Sequence, residues 1–225
     1  MPDGGWIEGA GRMLRRRWLK PRPEPRDPNR PWNLNIEDDA HLDAAIPADA
    51  RRVLEVGCGD GFLAARLAAR VDEVVALDLD APVLERARAR FPDARVDWRL
   101  GDLMTWQPDG RPFDAVVSNA TLHHLPDIGA ALRRMAGFLR PGGVLAIATF
   151  VRFEVRELPW QLSALAARRR AIRRNGWWNH SAPIAWPPRE GLHRLRVIAA
   201  DALPGSRVTR TPYGRAHLHW TAPGS

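Results

Sequence analysis

The chain is poor in cysteine: Cys58 is the single one in 225 residues. That excludes an internal disulfide framework, a CxxC redox pair and any multi-cysteine zinc or iron–sulfur site. Long apolar runs are missing too. None approaches the ~18 residues a membrane span needs, and no N-terminal apolar segment reads as a secretory signal. The expectation is a soluble cytoplasmic protein without a membrane span. Lysine is almost absent, Lys20 standing alone among 34 basic residues. With 20 prolines and abundant alanine, this arginine bias reads as the composition of a GC-rich genome rather than as selection for phosphate contacts. The net charge of +8 is unevenly spread: residues 33–151 come to −5, and both flanks are basic. A nucleic-acid partner is therefore disfavoured, although a basic flank can still recruit anions over a Debye length of about 8–10 Å.

What is present divides the chain into four stretches. Residues 1–32 form a basic, proline-rich arm. Ile7, Leu14 and Trp18 share one face of a short helix, which Pro21, Pro23, Pro25, Pro28 and Pro31 then break. It reads equally as a solvated tail or as a lid. From residue 33 to 150 short Val/Leu/Ala-rich strands alternate with helices. Strands are expected at Val53–Val56, Val74–Leu77, Ala94–Leu100, Phe113–Ser118 and Val144–Phe150, with helices from Leu63 to Arg70, from Pro82 to Phe91 and over 127–139. Buried runs of this kind between helices indicate a mostly parallel sheet covered on both faces, hence an α/β, doubly wound fold. Residues 151–189 break the rhythm with a Trp- and Arg-rich insertion. The remainder, 190–225, reads as a helix (189–202) followed by an antiparallel hairpin, Arg207–Tyr213 and His217–Thr221, that completes the sheet.

The chemistry concentrates in Val53-Leu-Glu-Val-Gly57-Cys-Gly59-Asp-Gly61. A glycine-rich turn between a first strand and first helix lets backbone approach a ligand at an electropositive helix end. The spacing is G-x-G-x-G. The dinucleotide fingerprint wants a small residue at position 62, where this chain has Phe62, and the Gly-Lys-Ser/Thr of a phosphate-binding loop is absent. Asp78 closes the second strand, where a carboxylate can accept bonds from two ribose hydroxyls, each worth about 1.5–3 kcal/mol. Gly101-Asp102-Leu103 follows the third strand, with a carboxylate for an adenine amino group and an apolar side chain for its ring. Each has a structural alternative: a tight turn for Gly57, Gly59 and Gly61, an N-cap for Asp78, an Asx turn for Asp102. Together they stand at three successive strand ends, where open α/β sheets bind ligands.

At these residues the sequence resembles the class I, seven-stranded Rossmann-like S-adenosylmethionine-dependent methyltransferases of the bacterial small-molecule type. Phe113-Asp-Ala-Val-Val-Ser-Asn-Ala-Thr-Leu-His-His-Leu-Pro-Asp127 and Leu139-Arg-Pro-Gly-Gly-Val-Leu145 extend the match over about residues 33–150. Trp32-Asn-Leu-Asn35 and His217-Leu-His-Trp-Thr221 look like one bacterial subgroup. The resemblance implies S-adenosylmethionine as cofactor and S-adenosylhomocysteine as product. It implies that Glu55, Gly57, Cys58, Gly59 and Gly61 shape the methionine end, that Asp78 and Leu79 hold the ribose and Asp102 and Leu103 the adenine, and that Asn119 lies beside the sulfonium. Cys58 reads as a small wall residue, neither nucleophile nor metal ligand.

Methyl transfer from a sulfonium is an in-line displacement, and a base is needed only where the acceptor must lose a proton. His123 and His124 are the candidate catalytic residues, with one of the pair expected to face the pocket; His180 is a third. The Asn/Asp-Pro-Pro-aromatic turn of amino-directed nucleic-acid methyltransferases is absent from Ser118-Asn-Ala-Thr121. No carboxylate follows the fifth strand at Ala148-Thr-Phe150, so no metal is expected. Acceptor choice falls to the arm and the insertion, where Trp160, Trp177, Trp178 and Trp186 could wall a pocket and nearby arginines could hold a carboxylate or phosphate. The expected acceptor is a small aromatic or acidic molecule of secondary metabolism, with methylation on oxygen favoured and nitrogen and carbon left open. Methylation of an RNA or protein and a catalytically inactive cofactor-binding partner are the alternatives. The sequence says nothing of oligomeric state.

Overall fold

The computed structural model describes residues 31–179 and 185–224. Their elements are, in order, α1 (Leu34–Ala45), β1 (Arg52–Val56), α2 (Phe62–Leu67), β2 (Glu73–Asp78), α3 (Ala81–Arg90), β3 (Val96–Leu100), β4 (Phe113–Asn119), a 3₁₀ turn (Leu122–His124), α4 (Ile128–Ala136), β5 (Leu139–Phe150), a second 3₁₀ turn (Val155–Glu157), α5 (Leu158–Asn175), α6 (Leu192–Ala202), β6 (Arg207–Arg210) and β7 (Arg215–Thr221). The seven strands form one sheet ordered β3-β2-β1-β4-β5-β7-β6. Strands β1 to β5 pair in parallel, and β7 runs antiparallel to both β5 and β6. The order reverses between β1 and β4, which opens a crevice above their C-terminal ends.

Strand β1 is buried along its whole length, as a central strand covered on both faces must be. Leu54 and Val56 join one apolar layer with Leu132 and Met135 of α4 and Leu192, Leu195 and Ala199 of α6. Val53 joins the other layer with Leu42 of α1, Leu63 and Leu67 of α2 and Leu84 of α3. Strand alternation puts Glu55 on the Val53 side, under α1 and α2.

Several boundaries differ from expectation. The fourth-strand helix stops at Ala136 rather than 139, and β5 starts at Leu139 rather than 144. Leu139 pairs with Phe113 across a register shift, and Arg140 binds Asp114, so the Arg140-Pro-Gly-Gly run belongs to β5. The C-terminal helix begins at Leu192, β6 ends at Arg210, and β7 begins at Arg215 because Thr211 takes the Arg215 amide in a tight turn. Helix α1 was not anticipated. Asn33 caps it by accepting from the Asn35 and Ile36 amides. Its buried face reads Leu34, Asp38, Asp39 and Leu42: two carboxyls stand where periodicity would look for apolar residues.

Candidate functional site

A cleft of about 880 Å³ lies over the strand ends. Its floor and rim come from the glycine turn 57–61, from Asp78 to Pro82 after β2, from Gly101 to Met104 after β3, and from Asn119 to Thr121 with His123 to Pro126 after β4. Helix α1 roofs it through Asn33, Asn35, Ile36 and Asp39, with Phe150 and Trp178 closing the side.

The glycine turn is built by three left-handed residues, Gly57 (φ +73°), Gly59 (+51°) and Gly61 (+82°). The Gly57 and Cys58 amides both donate to the Leu77 carbonyl, at 2.7 and 3.2 Å, tying the turn to β2. A Cβ on Gly57 would overlap the Thr121 side chain, and one on Gly61 would fall 2.7 Å from the Trp98 ring and 2.9 Å from Ala87. Gly61 thus provides the close approach of α2 to the sheet. Phe62 is then free to pack edge-on against Phe91 and Trp178, at ring distances of 5.3 and 5.1 Å.

Asp78 accepts the Gly59 amide on Oδ2 at 2.8 Å and the Asp80 amide on Oδ1 at 2.9 Å. The N-cap of α3 is Asp80, which accepts from Val83; Asp78 is left to brace the glycine turn, and each of its oxygens keeps a lone pair for a further donor. Asp102 makes the Asx turn, its Oδ1 taking the Met104 amide at 2.8 Å, and still borders the cleft. Leu103 is buried in the floor, whereas Leu79 is 71% exposed on the rim. Cys58 is buried, and desolvation pushes its thiol well above the usual range, with Glu55 and Asp78 adding to the effect. A thiol held neutral is no nucleophile.

Glu55 is 2% exposed, and its Oε2 has no hydrogen-bond partner within the protein. Burial foremost, then Asp39 and Asp78, holds this carboxyl well above the ordinary carboxylate range. Six lining residues carry carboxyls (Asp39, Glu55, Asp60, Asp78, Asp80 and Asp102), and no lysine or arginine lines the cleft among the described residues. Such a lining suits a cationic ligand and repels a pyrophosphate.

Asn119 sits at the tip of β4 with both its amide protons used. Its Nδ2 donates to the Asn35 carbonyl at 2.8 Å and to Asp39 Oδ1 at 2.7 Å, and its Oδ1 accepts from Arg215 at 2.8 Å. Arg215, 1% exposed, also binds the Leu34 carbonyl, Asn35 Oδ1 and, at 2.7 Å, Asp38. Asp38 in turn meets His217 Nε2 at 2.8 Å, and His217 stacks on His41. This buried network staples α1 to the sheet.

Both histidines after β4 line the cleft, not one as expected, because the 3₁₀ turn Leu122–His124 bends around its mouth. His124 is exposed and His123 buried. Burial, His124 and Arg215 lower the His123 imidazole to about 3, so it is neutral at physiological pH and a weak base. Of the four tryptophans, only Trp178 lines the cleft. Trp160 packs on the core and donates to the Thr211 carbonyl; Trp177 lies buried against Trp32. Trp186 stands outside, edge-on to Phe150 at 6.1 Å. The expected cleft arginines are absent from the described lining. His180 and residues 1–30 of the arm lie outside the described residues.

A family model described as "Methyltransferase domain" matches residues 53–143. An uncharacterized methyltransferase of Mycobacterium tuberculosis is 50% identical over 195 residues, 87% of this chain and 99% of the relative. The chain belongs to the class I S-adenosylmethionine-dependent methyltransferases. Trans-aconitate 2-methyltransferase of Methylobacterium radiotolerans is 41% identical to this methyltransferase over 128 residues, 52% of this chain and 48% of the relative. The N-methyltransferase NodS from Bradyrhizobium japonicum, solved with S-adenosyl-l-homocysteine, shares the fold at a TM-score of 0.56 and 19% identity, covering 84% of this chain and 85% of NodS.

The methyltransferase uses S-adenosylmethionine, and the cleft's unpartnered buried Glu55 oxygen and acidic lining fit that cation. Sequence reasoning missed Asp39, Asn35, Thr121 and Phe150 as cleft residues. The Trp32-Asn-Leu-Asn35 stretch was the available signal, since Asn33 and Asn35 of that run both reach the cleft. Among the described residues no helix is long and apolar enough to cross a membrane.

Proposed function

We propose that this methyltransferase moves a methyl group onto an oxygen of a small-molecule acceptor in the cytoplasm. The observation that carries this reading is the composition of one cleft: carboxyls and glycines at three strand ends, and His123, His124, Phe150 and Trp178 at its open side. When bound, S-adenosylmethionine supplies an electrophilic methyl group on a sulfonium. In this reading the core over 33–150 holds the cofactor, and within 151–189 Trp178 is the residue that reaches the acceptor. Asp78 accepts both ribose hydroxyls while bracing the Gly59 amide, Leu79 covers the rim, and Asp102 with Leu103 meets the adenine. Gly57, Gly59 and Gly61 bring backbone against the methionine end, Glu55 faces it, and Cys58 is a small wall. Asn119 holds Asp39 and Arg215 beside the sulfonium end, with both its amide protons used and one Oδ1 lone pair left.

Holding the acceptor oxygen in line with the methyl carbon and sulfur can supply up to about 7–11 kcal/mol through effective molarity. A neutral His123 does not repel the sulfonium. Its low basicity favours an acceptor already ionised at neutral pH, and a carboxylate meets that condition, the sulfonium itself supplying the positive charge that the described lining lacks. The trans-aconitate relative acts on a carboxylic acid by its name. Turnover on a panel of small carboxylic acids, with phenols as the contrast, tests the acceptor class; activity confined to amines would overturn oxygen transfer.

Two substitutions probe the assignments. Asp78→Ala is expected to weaken S-adenosylmethionine binding at least tenfold by calorimetry, about 1.4 kcal/mol, with the thermal transition retained. Unchanged affinity would remove the ribose role. For the histidines, His124→Ala is expected to lower turnover on a hydroxyl acceptor ten- to hundredfold, the usual scale of a general base. His123→Ala should instead cost chiefly stability, through the cavity it leaves beside Phe150. Two variants at full rate would leave no imidazole in the chemistry.

A further inference from the structure

Two buried carboxyls face the cleft from roof and floor: Asp39 on helix α1, and Glu55 on β1 with its orphaned oxygen. Both are more than nine-tenths buried and both line the same cavity. Asp39 is near enough to Glu55 for its charge to push the Glu55 carboxyl up. Asp39 is held by the Asn119 amide at the tip of β4, on the side of the cleft where His123 and His124 stand.

We propose that Asp39 and Glu55 form a carboxyl pair that meets the sulfonium of S-adenosylmethionine and releases a proton to solvent as the cofactor enters, so that the site prefers S-adenosylmethionine to S-adenosylhomocysteine. The inference rests on the cofactor lying in this cleft with its sulfur toward the β4 tip. In the free protein two buried carboxylates cannot both ionise cheaply. Burial raises Asp39 to about 7, with Asp38 pushing the same way and Asn119, Arg215 and Arg66 opposing. Glu55 is raised by burial, by Asp39 and by Asp78. Arg215 stands behind Asn119, already shared with Asp38, and His123 is neutral. A fixed positive charge entering the cavity that both carboxyls line favours their ionised forms. A carboxyl O–H bond breaks, its electron pair stays on oxygen, and the proton passes to water. Once the methyl group has gone to the acceptor the sulfur is neutral, a carboxyl takes a proton back, and the hold on the product weakens.

The test is calorimetry of the full chain with each cofactor at pH 7, in two buffers of different ionisation enthalpy. Burial raises Asp39 to about 7, so protonated carboxyl is present at that pH. Binding of S-adenosylmethionine should therefore release a measurable fraction of a proton, and S-adenosylhomocysteine clearly less. By linkage, affinity for S-adenosylmethionine should rise severalfold from pH 6 to 7.5, and affinity for S-adenosylhomocysteine should rise less. Asp39→Asn keeps the acceptor oxygen for Asn119 and should cut both the proton release and the preference between cofactors at least threefold. Equal release by the two cofactors, no release by either, or an unaltered Asp39→Asn protein overturns the pair; the wild-type proton count stands even if that variant folds poorly. Failure of the wild type to bind either cofactor would instead overturn the cleft as the cofactor site.

Discussion

Arg215→Met is expected to lower the unfolding free energy by about 3–5 kcal/mol, the cost of breaking a buried ion pair from one side. The guanidinium is 1% exposed and meets the Leu34 carbonyl, Asn35, Asp38 and Asn119. Its plane also lies over the Phe150 ring, 4.5 Å from the centroid. Methionine fills a similar volume but leaves the Asp38 carboxyl buried, with His217 as its remaining partner. Adding Asp38→Asn removes that stranded carboxyl, so the double variant should recover much of the loss. Denaturant titration of the three proteins checks both statements. A single-variant change under about 1 kcal/mol would mean that the network does not hold α1. Because α1 roofs the cleft, Arg215→Met should also weaken cofactor binding, although no atom of Arg215 lines the cavity.

Gly57→Ala is expected to reduce cofactor affinity more than tenfold by a different route. At φ +73° an alanine is strained by about 1–2 kcal/mol. Its Cβ would also fall within 2.7 Å of Thr121 Cβ and overlap the hydroxyl. Either the turn leaves β2 or Thr121 leaves the tip of β4, and both segments line the cleft. Equilibrium binding of S-adenosylmethionine measures the loss. Thr121→Gly placed beside Gly57→Ala removes the overlap but not the backbone strain, and should restore part of the affinity. Gly59→Ala carries backbone strain without any protein atom within 4 Å of its Cβ, so it is the comparison for stability of the free protein. If Gly57→Ala and Gly59→Ala lowered the thermal transition of the free protein equally, steric conflict with Thr121 would not be the cause.

The uneven legibility of the site follows from how each residue acts. Gly57, Gly59, Gly61, Asp78 and Asp102 work at fixed offsets from the ends of strands, and strands announce themselves as short runs of Val, Leu and Ala. Position then gives direction, because every parallel strand delivers its C-terminal end to the same edge. Even the Phe62 that spoils the dinucleotide spacing could be read as excluding a pyrophosphate. Its packing against Phe91 and Trp178 could not, since those partners lie on other elements. Tryptophans in an insertion carry no such offset. Trp178 entered the cleft and Trp177, its neighbour, became core, a choice made by which side of one backbone turn each occupies.

Helix α1 is the clearest case of a structure hidden by its own function. Leu34, Asp38, Asp39 and Leu42 share its buried face, and two carboxyls there defeat any search for an apolar stripe. They are tolerable only because Arg215, His217 and Asn119, about 80 to 180 residues away in sequence, arrive to meet them. The sequence alone determined the α/β order, the glycine turn and the acid after β2, all of which depend on neighbours a few residues apart. Tertiary structure alone decided which histidine is buried, which tryptophan lines the cleft, and that α1 roofs it with Asp39. Those depend on desolvation and on charges meeting across the sheet, quantities set by which distant segments fold together.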